Sequence, residues 1–123
     1  MGNQNVIKWL SEPEEKNFPA AESYLGLIYD DTKVATFVSY LKKIAVSTSK
    51  AKDIFRASGL SLLGISNSHV VKDRKKIEDG QPMSPVLLIR DERNGKVIIA
   101  DGYHRMCAIY SINEDELIHC KIV

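Results

Sequence analysis

The sequence predicts an α+β fold, a small mixed β-sheet with packed helices, preceded by an N-terminal helical cap. Two patterns carry this prediction. Before Ser61 the apolar residues recur at helical spacing. After Ser84-Pro85 two aliphatic runs, Val86-Leu-Leu-Ile-Arg90 and Lys96-Val-Ile-Ile-Ala100, flank an Asn94-Gly95 turn signal, as in a β-hairpin. Size agrees. A chain of 123 residues, 44% hydrophobic and 27% charged, suits a single domain with a core of its own. Residues 1–60 read as an arm and helical cap, and 61–123 as the core of that domain.

Residues 1–18 read as an irregular arm, pinned to the body by Trp9 with Val6, Ile7 and Leu10. Pro19 suits the first turn of a helix, where its missing N–H costs nothing. Ala20, Ala21, Tyr24, Leu25 and Ile28 then predict a first helix ending near Asp30. Asp31 is placed to cap a second, with Val34, Phe37, Val38 and Leu41 on one face. The Ser47-Thr-Ser49 cluster predicts the cap of a third, with Ala51, Ile54 and Phe55 inward and Gly59 as its stop.

Leu60-Ser-Leu-Leu-Gly-Ile65 reads as an extended segment or short strand. Ser68 precedes a fourth helix with Val70, Val71 and Ile77 apolar, ended by Gly80 and Pro82. After the hairpin, Tyr103 to about Ile112 is the last helix, and Leu117 to Val123 the closing strand.

The formal charge is +1, with 17 Lys and Arg against 16 Asp and Glu. Tight wrapping of a nucleic-acid backbone needs a basic excess, so nucleic acid is not the favoured partner. No apolar run approaches the ~18 residues of a membrane span. The N-terminus lacks a basic region followed by an apolar stretch, so a cytoplasmic protein is expected. Cys107 and Cys120 are expected to be reduced thiols, Cys120 in a buried strand.

The segment Ala100-Asp-Gly-Tyr-His-Arg105 carries the most chemical information. A strand ends at Asp101-Gly102 and a helix begins at once, leaving unpaired N–H groups that favour an anion. His104 and Arg105 stand in that first turn, where cations oppose the helix dipole. An anionic ligand resolves the conflict, as would the Asp101 carboxylate. Lys72 and Lys76, at i and i+4 in the basic run Lys72-Asp-Arg-Lys-Lys76, share a helix face with Lys75 beside it. That face is either solvated or turned toward Arg105. Lys52, Asp53 and Arg56 form the polar side of the third helix; an Asp53–Arg56 ion pair or a substrate contact accounts for them. Glu22 and Tyr24 have the same standing.

The order of strand, Asp101-Gly-x-His-Arg105, helix and strand, preceded by a helix and the Pro85-Val-Leu-Leu-Ile89 strand, resembles the ParB/sulfiredoxin-like superfamily. The resemblance covers about residues 61–123 and is most specific from Pro85 to Arg105. It implies that Gly102, Tyr103, His104 and Arg105 hold nucleotide phosphates, with Lys72 and Lys76 contributing from the preceding helix. The implied ligand is ATP, ADP or CTP with Mg²⁺, or another phosphorylated small molecule. In a nucleotide hydrolase or kinase-like phosphotransferase, Asp101 would bind Mg²⁺ or act as base, and His104 would stabilise or protonate the transferring group. A metal-dependent ParB-like nuclease and a non-catalytic nucleotide-sensing module are the alternatives.

Two departures narrow the resemblance. Tyr103 stands where sulfiredoxins carry their attacking cysteine, and a phenol does not replace a thiolate, so sulfiredoxin activity is not expected. ParB partition proteins continue into a helix-turn-helix domain after the closing strand, so a partition function is not expected either.

Overall fold

A computed structural model describes residues 6–64 and 66–123. Its elements, in chain order, are α1 (Asn17–Leu25), α2 (Asp31–Lys43), β1 (Ser47–Lys50), α3 (Ala51–Ser58), α4 (Ser68–Glu78), β2 (Val86–Asp91), β3 (Lys96–Asp101), α5 (Tyr103–Ile112) and β4 (Leu117–Ile122). The α+β class is as the sequence predicts. The strands lie in the order β1-β4-β2-β3, with β2 parallel to β4 and the other neighbours antiparallel.

The central strand β2 explains the architecture. Val86, Leu87, Leu88 and Ile89 are all buried, and successive strand side chains point to opposite faces. Leu87 and Ile89 pack with Phe18, Ala21 and Leu25 of α1 and Val34, Val38 and Leu41 of α2. Val86 and Leu88 pack with Ile54 and Phe55 of α3, Val70 and Ile77 of α4, and Met106 and Ile109 of α5. The sheet is therefore covered on both faces. The helical cap of the sequence reading is divided by this arrangement: α1 and α2 form one layer, whereas α3 joins the layer of α4 and α5.

Several local expectations are corrected. Ser47–Lys50 is a strand, not a helix cap, because its backbone pairs with Leu117–Cys120 at the free edge of β4. Residues 60–64 belong to no strand; Ile65, in the same expected segment, lies outside the described residues. α1 ends at Leu25 rather than near Asp30, and Ile28 is exposed. Asp30, not Asp31, caps α2 by accepting from the Lys33 N–H at 2.8 Å. Ser68 is the first residue of α4 and does not precede it; Asn67 caps the helix, accepting from the N–H groups of His69 and Val70, and Val71 is exposed.

The arm is held as expected through Ile7 and Trp9, but Val6 is exposed. Trp9 bridges Met83 and stacks on His119 with ring centroids 4.8 Å apart. Further along, the Ser84 hydroxyl accepts from the Glu14 N–H at 3.0 Å and donates to Asn17 Oδ1, both Ser84 and Asn17 being buried.

Candidate functional site

The end of β3 and the start of α5 form the candidate site. Gly102 joins them in a left-handed conformation (φ +110°), which a side chain rarely adopts. Space is short as well. A Cβ there would lie 2.8 Å from a terminal guanidinium nitrogen of Arg105 and 2.9 Å from Val86 Cγ2. The chain turns at once into α5, whose start has no side-chain cap and no acidic residue in its first turn. The orphan N–H groups and the positive end of the dipole are thus left without a carboxylate of the helix's own.

α4 packs across this turn. Its face carrying His69, Lys72 and Lys76 meets Gly102, Tyr103, His104 and Arg105 around a cleft of about 220 Å³, with Asp73 and Asp101 in the same wall. The sequence left the direction of the Lys72–Lys76 face open; the packing turns it to the site. Arg74 donates to the Ser111 hydroxyl at 2.5 Å and ties α4 to α5. Lys75 pairs instead with Asp79 of its own helix end at 3.2 Å.

His69 is a site residue that the sequence reading missed. Its ring lies 4.7 Å, centroid to centroid, from that of His104. The signal was available: His69 precedes Lys72 by three and Lys76 by seven, on one helical face.

Asp101 and Arg105 are committed to one another. The Asp101 carboxylate accepts from the Arg105 guanidinium at 3.2 Å. Burial pushes the Asp101 carboxyl above the ordinary aspartate range, and the Arg105 charge and hydrogen bond oppose this without cancelling it. The buried Arg105 Nε has no partner among the described residues. An unsatisfied buried donor costs roughly 1–3 kcal/mol, more when charged, and an oxyanion reaching it would recover that cost.

Two features argue against thiol chemistry. Cys107 and Cys120 are free but buried, and burial raises both thiols above their ordinary range. Tyr103, its phenol likewise raised chiefly by burial, donates to the Ser61 carbonyl and tethers the α3–α4 connection to α5.

A second cavity, of about 410 Å³, adjoins the same turn. Ala20, Tyr24, Leu60, Ile99 and Ala100 line it together with Asp101, Gly102, Tyr103 and His104. The expected substrate contacts on α3 are not brought to either cavity. Lys52 pairs with Asp115 at 2.7 Å, and Asp53 with Arg56 at 3.3 Å, on exposed surface.

Comparison with family models, with curated proteins and with solved structures finds no match. The class that the geometry defines is a small α+β domain with a cationic cleft at a strand-to-helix turn. No helix among the described residues is long and apolar enough to cross a membrane.

Proposed function

We propose that this chain is a cytoplasmic nucleotide- or phosphate-binding domain of the ParB/sulfiredoxin-like kind. The observation that carries the reading is the convergence of Lys72 and Lys76 of α4 with Arg105 and the uncapped start of α5 on one cleft. Two helices that are separate in sequence present cations and N–H donors to the same 220 Å³. Such a site suits one or two phosphate groups: lysines as point charges, Arg105 as a planar fork of donors, and the helix start as a cradle. Asp101 opposes a bound anion and holds Arg105 in place until one arrives.

As a nucleotide hydrolase or kinase-like phosphotransferase, the domain would use His104 to stabilise or protonate the transferring group, since His104 lines both cavities. Mg²⁺ would enter with the phosphates of a nucleotide, since it takes one or two carboxylates beside phosphate oxygens and Asp73 and Asp101 both line the cleft, Asp101 shared with Arg105.

Binding of ATP, ADP or CTP, with and without Mg²⁺, is measured by thermal shift and calorimetry. A nucleotide is expected to raise the melting temperature, and Lys72→Ala, at an exposed position, is expected to weaken its binding about tenfold or more. Nucleotide affinity unchanged in both Lys72→Ala and Lys76→Ala would remove the proposal. Phosphate release that falls in His104→Ala with affinity retained would separate the enzyme from the sensor.

A further inference from the structure

We infer that the 410 Å³ cavity between α1, Leu60 and the end of β3 receives the aromatic part of a phosphorylated ligand whose phosphate lies in the cationic cleft. The inference rests on the phosphate-binding reading and adds the chemical class of the group attached to the phosphate. It also gives the N-terminal segment a role, since Ala20 and Tyr24 of α1 form one wall.

The two compartments share Asp101, Gly102, Tyr103 and His104 as a common wall. A phosphate at the α5 start is therefore adjacent to both, and its ester substituent needs only to pass Gly102 and His104 to enter the larger one.

The linings differ in chemistry. The cleft is lined by ionisable side chains, Lys72, Lys76 and Arg105 with His69 and His104 against Asp73 and Asp101, whereas the cavity beyond the common wall is built of Ala20, Tyr24, Leu60, Ile99 and Ala100. None of those five carries a charge, and the one carboxylate of the lining, Asp101 on the common wall, is paired with Arg105, so an anionic or strongly hydrated group is poorly received. Tyr24 and Leu60 are 41% and 43% exposed at this opening, apolar surface that a ligand ring would remove from water. Two tyrosines, Tyr24 and Tyr103, offer ring faces or edges to a flat substituent. A volume of about 410 Å³ lies in the range of small-molecule sites, and the 220 Å³ cleft alone is below it.

Calorimetric titrations with inorganic phosphate and with phenyl phosphate test this on the full chain. Phenyl phosphate is expected to bind at least tenfold more tightly. Ala20→Trp, which fills the cavity from an exposed helix position, is expected to bring the two affinities together. Tyr24→Ala, which removes one wall without adding bulk, is expected to reduce the ratio as well. Equal affinities in the unaltered protein, or a ratio that survives in both variants, overturn the inference while leaving the phosphate site intact. Binding of neither ligand overturns the phosphate reading and this inference with it.

Discussion

Asp101 and Arg105 face each other across one helical turn, carboxylate to guanidinium at 3.2 Å, with side chains only 17% and 16% exposed. The pair sits astride the glycine that starts α5, so the residues expected to serve a ligand also serve the fold. Arg105→Ala is therefore expected to cost stability as well as ligand binding, because it would leave a largely buried carboxylate without its partner.

The same pair sets a pH dependence. Burial raises the Asp101 carboxyl above its ordinary value of 3.8 despite Arg105. The folded state therefore holds that proton more tightly than the unfolded chain. The stability linked to it is fully present below about 3.8 and is lost as pH rises through the raised value. Asp101→Asn lacks this titration. Urea midpoints taken at steps from pH 3 to 7 are expected to move in favour of the variant, relative to the unaltered protein, as pH rises. Movement in the opposite sense would show that Arg105 outweighs burial.

Gly102→Ala is expected to destabilise by about 1–3 kcal/mol from backbone strain alone. Contacts of 2.8 Å with Arg105 and 2.9 Å with Val86 would add to that and displace the guanidinium. Denaturant melts measure the first effect, and inorganic phosphate titration the second. A variant with unaltered stability would mean that the turn tolerates a side chain and that the close approach is not required.

Lys121 gives a prediction away from the site. It is buried in β4, with Nζ 2.7 Å from Glu12 Oε1 of the arm and 3.3 Å from the Lys42 carbonyl. Glu12→Ala is expected to cost about 1–2 kcal/mol, discounted because the glutamate is largely exposed. Lys121→Met, which keeps the packed stem and removes the charge, is expected to be neutral or stabilising. Adding Glu12→Ala to Lys121→Met should then cost little, and a double-mutant cycle in urea measures the coupling. Full cost of Glu12→Ala in the Lys121→Met background would assign the arm's stability to other contacts.

Much of the local structure was legible. Tyr103–Ile112 is α5 as expected, and the aliphatic runs at Val86 and Lys96 are the hairpin strands. Gly59 and Gly95 adopt the left-handed conformation expected of a helix stop and a tight turn. β1 was not legible, because Ser47-Thr-Ser-Lys50 has no apolar alternation; its strand form comes from the open hydrogen-bonding edge of β4, 70 residues away. Leu60 and Leu62 misled for the converse reason. Their apolar side chains remain exposed, Leu60 at the mouth of a cavity, and the segment is tied by the Tyr103–Ser61 hydrogen bond instead of by a strand partner.

By itself the sequence determined which residues share a face and where the chain must turn: Lys72 with Lys76 on α4, and Gly102 between β3 and α5. These are consequences of helical period and of allowed backbone angles, both local properties. Only the tertiary structure decided that the α4 face meets the α5 start, that Asp101 occupies Arg105, and that Ala20 and Tyr24 wall the neighbouring cavity. Those relationships depend on how helices from distant parts of the chain pack on the two faces of β2. That packing is settled by burial and shape complementarity, which no local spacing encodes.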